Sequence, residues 1–249
     1  MSGHSKWSSI KHKKGALDAK RGQLFTKLGR EITVAARQGG GIDPMMNAGL
    51  RIAVQRAKDA NMPNANIDRA VQRAVGGGDG EQLVEVTYEG YGPGGTAVLV
   101  EAVTDNRNRT VAEVRLRLSR GGGNLAEAGA VAWQFDLRGL VTVRAAGVDP
   151  DEVQLAAIEA GALDVSLEDD EVEVVCEPAD LEAVRDRLTE TGFEVVRSEL
   201  ARVPQSMVEL DETTAVQMLR LLERLDELDD VSHVYFNADF PAAVLDEAS

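Results

Sequence analysis

The apolar residues in the first 78 positions recur with the spacing of helices. A first helix is predicted over residues 16–38, because apolar residues return to one face every three or four positions. A second helix is predicted to begin with Asp43 as its cap and Pro44 in its first turn, and a third near Asn64. Three short helices bury enough apolar surface only by packing together, so residues 16–78 are predicted to form one all-helical domain.

Beyond Gly80 the apolar residues alternate with a period of two, which is typical of strands. The elements predicted first are strands over 81–89, 96–103 and 130–135 and a helix over 109–120. Residues 137–203 then follow the order strand, helix, strand, strand, helix, strand, which is the order of a ferredoxin-like unit. A helix over 211–228 and a strand over 232–237 complete the predicted elements.

The count of strands and helices predicts that the ferredoxin-like unit is inserted into a second α/β domain. The segment before it, 79–136, lacks a second helix to cover its sheet, and the segment after it, 204–240, is too small to form a core alone. Joined together they make one domain, with 137–203 as the insert and 241–249 as a tail. The predicted fold class is α+β multidomain: an N-terminal three-helix domain followed by two α/β domains, one ferredoxin-like and inserted into the other.

The charged residues are segregated along the chain. The net charge of the whole chain is −15, from 27 Lys and Arg against 42 Asp and Glu. Residues 1–78 hold 14 basic and 5 acidic residues, a net charge of +9, and residues 79–249 hold the other 13 basic and 37 acidic residues, a net charge of −24. A basic domain beside acidic ones indicates a localised surface for a polyanion. The alternative is a solvated basic face with no partner.

The basic residues nearest the N-terminus surround a tryptophan. Residues 1–15 are hydrophilic and contain no acid, so they are predicted to form a flexible arm. The candidate contacts on the arm are Lys6, Trp7, Lys11, His12, Lys13 and Lys14. The cations would neutralise phosphates, and the indole would stack on a base or wedge at a groove. The alternative is a disordered tail that serves solubility.

The first predicted helix extends this basic surface. Its cations follow a stripe roughly 130° round the helix from the centre of the apolar face. The candidate contacts here are Lys20, Lys27, Arg30 and Arg37, with Arg21 nearer the apolar side.

A second polar cluster precedes the helix predicted over residues 109–120. It consists of Asp105, Asn106, Arg107, Asn108 and Arg109. One interpretation is a helix cap supplied by Asp105 or Asn108. The other is a site for a phosphate or a protein partner, because helix N-termini favour anions.

The remaining residues give no indication of an enzyme. The glycines of residues 90–95 match a phosphate-binding fingerprint in spacing, but a predicted strand follows them where a helix is required. The three histidines and the single cysteine, Cys176, lack the spacing of a metal site. We therefore expect no catalytic residues, no metal and no cofactor. One cysteine, no apolar run of membrane-spanning length and no secretory signal favour a cytoplasmic protein without a membrane partner.

A series of motifs along the chain resembles the YebC/PmpR family. The motifs are GHSKW at 3–7, IKHKK at 10–14, DAKRG at 18–22, FTKL at 25–28, REI at 30–32, NMP at 61–63, YEGYGPGG at 88–95, TDNRNRT at 104–110, GGNL at 122–125 and NAD at 237–239. The resemblance implies a helical domain and two α/β domains arranged round a cavity. It also implies a DNA-binding transcriptional regulator, and relatives that include a mitochondrial one act instead in translation at the ribosome.

The sequence therefore predicts a regulator of gene expression that binds DNA through the arm and the basic helical domain. The acidic part would present a surface to protein partners. The alternative is a translation factor that docks the same basic surface on ribosomal or transfer RNA. Both ligands are polyphosphates, so the electrostatic pattern does not distinguish between them.

Overall fold

The computed structural model describes residues 18–39, 41–75, 82–168 and 171–248. Its helices are α1 (Asp18–Gln38), α2 (Ala48–Asp59), α3 (Asn64–Val75), α4 (Arg107–Arg120), α5 (Pro150–Glu159), α6 (Leu181–Glu190), α7 (Glu212–Asp226) and α8 (Ala242–Ala248). Its strands are β1 (Val84–Tyr91), β2 (Ala97–Thr104), β3 (Asn124–Leu125), β4 (Phe135–Arg144), β5 (Asp164–Glu168), β6 (Glu171–Cys176), β7 (Val195–Pro204), β8 (Val208–Glu209), β9 (Val231–Phe236) and β10 (Ala238–Asp239). The predicted arm, residues 1–15, lies outside the described residues.

The three N-terminal helices form a small bundle, as the apolar spacing predicts. The buried side chains between them are Leu28, Ile32, Leu50, Ala57, Met62, Ile67 and Ala70. α1 packs against both α2 and α3, so it is the central element of this domain.

The cap of α2 is Asn47 and not Asp43, so this helix begins later than predicted. The side-chain Oδ1 of Asn47 accepts a hydrogen bond from the backbone N–H of Leu50 at 3.0 Å, and its Nδ2 donates to two backbone carbonyls at 2.9 Å each. Asp43 accepts the N–H of Met45 at 2.9 Å within the preceding turn. An amide both donates and accepts, whereas a carboxylate only accepts, so only asparagine can satisfy this buried position.

The first sheet combines strands from two distant parts of the chain. Its order is β3-β1-β2-β9, with antiparallel neighbours throughout. α4 and α7 pack on its inner face. The buried residues of α7 are Ala215, Met218, Leu219, Leu221, Leu222 and Leu225. The tail of the chain therefore supplies both a strand and the cover for a sheet that begins before residue 105.

The second sheet has the order β5-β6-β4-β7, which is that of a ferredoxin-like unit. α5 and α6 cover one face, where Val153, Val174, Val184 and Leu188 are buried together. The chain enters through β4 and leaves through the neighbouring β7. The predicted fold class is confirmed, and the boundaries given above for the separate domains remain predictions.

The strand predicted over residues 130–135 is wrong. Residues 132–134 form a 3-10 turn, and β4 runs from Phe135 to Arg144 without a break. The backbone before β4 bonds to a side chain, because the carboxylate of Glu89 accepts three N–H groups at 2.6 or 2.7 Å. The donors are Gly129, Val131 and Ala132. A single buried carboxylate thus replaces a strand neighbour for this segment.

The charge of Glu89 makes this segment sensitive to acid. Burial alone would raise the pKa of Glu89, but the three backbone N–H groups outweigh that effect and hold the pKa below its ordinary value. The stabilisation is therefore fully present above the unfolded pKa of about 4.3 and is lost as the pH falls through the lower folded pKa.

Glu89→Gln is expected to lower the free energy of unfolding at neutral pH by on the order of 1–3 kcal/mol, because a neutral amide bonds the three N–H groups less strongly. Urea unfolding at decreasing pH measures the free energy of unfolding of both proteins, and the difference between the variant and wild type should become smaller as the pH falls. Glu85→Gln, at an exposed position of β1, is the matched control. Equal stability of the two variants at neutral pH would contradict the assignment.

Candidate nucleic-acid interface

An open groove with a volume of about 820 Å³ lies between α1 and α3. Four arginines line it: Arg30, Arg37, Arg69 and Arg73. Its apolar lining includes Phe25 and Met62, and no acidic residue is among the lining residues in the described part of the chain. This groove, hereafter the arginine groove, combines positive charge with an apolar floor.

Two hydrogen bonds fix the helices on either side of the arginine groove. The hydroxyl of Thr33 on α1 donates to the carbonyl of Ala70 on α3 at 2.9 Å. Farther along, the guanidinium of Arg37 donates to the carbonyl of Arg73 at 3.3 Å. Both helices consequently present their cationic side chains to the same opening.

Arg69 and Arg73 were missed as candidates from the sequence. They are one turn apart on α3, and both are exposed. Their spacing of four residues on a helix is the signal that could have identified them, because residues four apart share a helix face. Only the packing of α3 beside α1 shows that this face continues the basic surface.

The predicted stripe on α1 is divided by the structure. Arg21 and Arg37 are exposed. Lys20 lies in the first turn of α1, and its side chain is outside the described part of the structure. Lys27 is only 7% exposed, and its ammonium donates to the carbonyl of Asp226. Of the stripe itself, Arg37 therefore faces solvent, while Lys27 is directed into the protein; Arg21, which is outside the stripe, also faces solvent.

Arg30 faces both the arginine groove and the acidic part of the protein. Its guanidinium lies 2.6 Å from Oδ1 of Asp230 and donates to the carbonyl of Asp229 at 3.0 Å. Near it, the amide of Gln23 donates to Oδ1 of Asp229 at 2.9 Å. The stretch 226–230, hereafter the acidic segment, thus contacts three positions of α1.

The polar cluster before α4 contains a helix cap, but the capping residue is Asn106. Its Oδ1 accepts the backbone N–H of Arg109 at 3.0 Å, so neither Asp105 nor Asn108 caps the helix. Asp105 instead forms an ion pair of 2.6 Å with the Arg109 guanidinium. Arg107 and Asn108 are exposed. The other interpretation of this cluster, a site for an anion or a protein partner, stays a prediction.

The carboxylate of Asp230 connects this cap to the rest of the protein. Oδ2 accepts hydrogen bonds from Arg109 and Thr110 at 2.8 Å and from Thr104 at 3.2 Å. Burial alone would raise the pKa of Asp230, but hydrogen bonds from two arginines and a threonine hold it below its ordinary value. Asp230 therefore stays ionised while almost wholly buried.

A second charged contact joins the helical domain to the ferredoxin-like unit. The guanidinium of Arg56 on α2 lies 2.7 Å from Glu31 of α1 and 3.2 Å from Glu199 of β7. Burial raises the pKa of Glu31, and the cation of Arg56 opposes that rise. Arg56 thus balances Glu31 and shares Glu199 with Arg197, which lies 3.5 Å from the same carboxylate.

The remaining candidate chemistry is inert. Burial raises the pKa of the Cys176 thiol to about 11, as expected for a core cysteine. The described residues contain no group of three or more His, Cys, Asp or Glu side chains that could hold a metal ion. Among the same residues, no helix has the length and apolar character needed to cross a membrane.

The fold and the groove define a three-domain protein in which a cationic helical domain is mounted on two acidic α/β domains. Two family models match the chain: the TACO1/YebC protein N-terminal domain over residues 5–77 and the TACO1/YebC second and third domain over residues 83–238. The chain belongs to the TACO1/YebC family, which confirms the resemblance seen in its motifs.

Curated relatives and a solved structure cover nearly the whole chain. A probable transcriptional regulatory protein of Moorella thermoacetica is 55% identical over 99% of both chains. One of Dehalococcoides mccartyi with the same description is 52% identical over 99% of this chain and 98% of its own. The crystal structure of a conserved hypothetical protein from Aquifex aeolicus, 45% identical, superposes with a TM-score of 0.86 over 93% of this chain and 96% of that one.

Arg56→Met is expected to reduce the free energy of unfolding by on the order of 3 kcal/mol, because it removes the ion-pair partner of Glu31 and one of the two cations beside Glu199. Urea unfolding measures the change. Arg51→Met is the control, since Arg51 pairs with Glu182 at a more exposed part of the same interface. A destabilisation by Arg51→Met as large as that by Arg56→Met would contradict the special role given to Arg56.

Proposed function

We propose that this protein is a non-enzymatic, cytoplasmic regulator of gene expression that binds nucleic acid through the arginine groove. The observation that supports this most is the lining of that groove: four arginines with no acid among its described residues. Guanidinium groups bind phosphates in bidentate fashion and release condensed counterions when they do so. The names of the relatives, probable transcriptional regulatory protein, support a regulatory role.

Duplex DNA is the ligand that we propose first. Of the exposed members of the predicted surface, Arg37 lines the groove and Arg21 precedes the groove-lining residues along α1, and the arm would extend the contact from the N-terminal end of this helix. Phosphate contacts of this kind position a protein on its ligand without reading the sequence. Lys27 and Arg30 are bonded to the acidic segment, so they contact phosphate only if those bonds are exchanged.

The apolar floor of the arginine groove favours a second candidate, a translation factor that binds ribosomal or transfer RNA. Phe25 and Met62 line the groove beside the arginines. An aromatic ring next to cations can stack on an unpaired base, which structured RNA supplies in loops and bulges. Intact duplex DNA does not offer such a base.

The acidic α/β part is proposed to contact protein partners. Trp133 is 68% exposed, although its indole N–H donates to the carbonyl of Ala130 at 3.1 Å. A tryptophan held in place at the surface is a frequent anchor of protein interfaces.

Arg69→Ala/Arg73→Ala in the full-length protein is expected to weaken binding to nucleic acids of any sequence. For B-DNA the dependence of log K on log salt should become shallower by roughly 0.9 for each phosphate that the variant no longer neutralises, or about 2 units in total. Fluorescence anisotropy across a salt series measures both quantities on a labelled duplex and a labelled structured RNA.

The matched control is Arg115→Ala/Arg120→Ala, which removes two exposed arginines from α4 of the acidic part. It should leave affinity and salt dependence nearly unchanged. An equal weakening in both variants would contradict the groove assignment. Tighter binding of the RNA, reduced by Phe25→Ala, would favour the translation factor over the DNA-binding regulator.

A further inference from the structure

The acidic segment docks on the same helix that supplies the proposed nucleic-acid surface. Four of its five residues, 226–230, are acidic. It receives hydrogen bonds from Gln23, Lys27 and Arg30, which are spaced four and three residues apart and share one face of α1. The acceptors are both carboxylate oxygens and backbone carbonyls. This pattern of closely spaced acceptor oxygens, two of them on carboxylates, resembles what a phosphate backbone offers to a basic helix.

Arg30 links this contact to the arginine groove. It lines the groove, and its guanidinium is also bonded to Asp230 and to the carbonyl of Asp229. A guanidinium engaged by these oxygens has fewer donors for a phosphate in the groove. Arg30 therefore belongs to two mutually competing sets of contacts.

Part of the contact between α1 and the acidic segment borders open space. A cavity of about 400 Å³ lies beside it, and its lining includes Gln23, Arg30, Arg109 and residues 227–230 of the acidic segment. The bonds of Gln23 are at the surface, where their net contribution is small and water or a competing anion can replace them.

The acidic segment has its own attachment to the sheet domain. Asp230 accepts hydrogen bonds from Thr104, Thr110 and Arg109, which are all on that domain. The position of the acidic segment therefore does not depend on its bonds with α1 alone.

We propose that the acidic segment is an intramolecular competitor for nucleic acid, which occupies Lys27 and Arg30 in the closed protein and is displaced from them by phosphate. This inference rests on the proposed function and adds its regulation. It accounts for a lysine of the basic stripe that is almost fully buried against acid instead of facing solvent.

The test locks the contact with a disulfide. The variant Gln23→Cys/Asp229→Cys replaces two side chains that are within 2.9 Å of each other, and the native Cys176 is buried and does not compete. The oxidised protein is expected to bind labelled duplex DNA or structured RNA roughly five- to tenfold more weakly than the same protein after reduction, with a salt dependence shallower by one to two units. Wild type under the same oxidant is the control.

Each outcome decides the matter. Equal affinity and salt dependence before and after reduction would overturn the competitor while leaving the proposed function intact. A contact between the ends of a glutamine and an aspartate side chain does not by itself bring two Cβ atoms to disulfide distance, so a bismaleimide crosslink between the same two cysteines replaces the disulfide if they do not oxidise. Equal affinity of the crosslinked and the uncrosslinked variant would overturn the competitor in the same way. If the reduced variant and wild type bind neither ligand, the proposed function fails and the competitor with it.

A second variant separates competition from general electrostatics. Asp226→Asn/Asp229→Asn removes two negative charges from the acidic segment, including the ion-pair partner of Lys27, without touching Asp230, and it should bind nucleic acid about threefold or more tighter than wild type. Asp151→Asn/Glu152→Gln makes the same change of charge at exposed positions of α5. An equal increase in affinity for both variants would mean that only net charge matters, contrary to the proposal.

Discussion

The carboxylate of Asp230 holds together parts of the chain that are far apart in sequence. It lies where the tail enters the first sheet, and it bonds the end of β2 through Thr104, the start of α4 through Thr110 and Arg109, and the helical domain through Arg30. A buried charge is tolerated only when it is compensated by hydrogen bonds and opposite charge. The start of α4, the end of β2 and the docking of α1 therefore meet at this position.

The segregation of charge has a structural consequence as well as a functional one. The helical domain is held against the acidic part by ion pairs at Arg30, Arg51 and Arg56. The same positive charge that suits a polyphosphate ligand thus binds the domains to each other. Under the proposed function the two uses compete at Arg30, and the affinity for nucleic acid is the surplus over the contacts that it displaces.

The sequence by itself determined the elements and most of the fold. Apolar spacing gave three N-terminal helices, the order of elements gave the ferredoxin-like unit, and the shortage of helices before residue 137 required α7 and β9 to complete the first sheet. These inferences succeed because periodicity reports which face is buried and a sheet with an uncovered apolar face is not stable. The wrong predictions, two helix caps and the strand over 130–135, concern positions where a side chain replaces a backbone hydrogen-bond partner. These side chains are Asn47 at the start of α2, Asn106 at the start of α4 and Glu89 before β4.

Only the tertiary structure decided which basic residues are available to a ligand. Lys27 and Arg37 both belong to the basic stripe of α1 in the sequence, yet Lys27 is buried against Asp226 and Arg37 is exposed. Arg69 and Arg73 belong to the arginine groove only because α3 packs beside α1. Helical periodicity states which side chains share a face. It does not state what packs against that face, because the partner here, the acidic segment, is about 200 residues away along the chain.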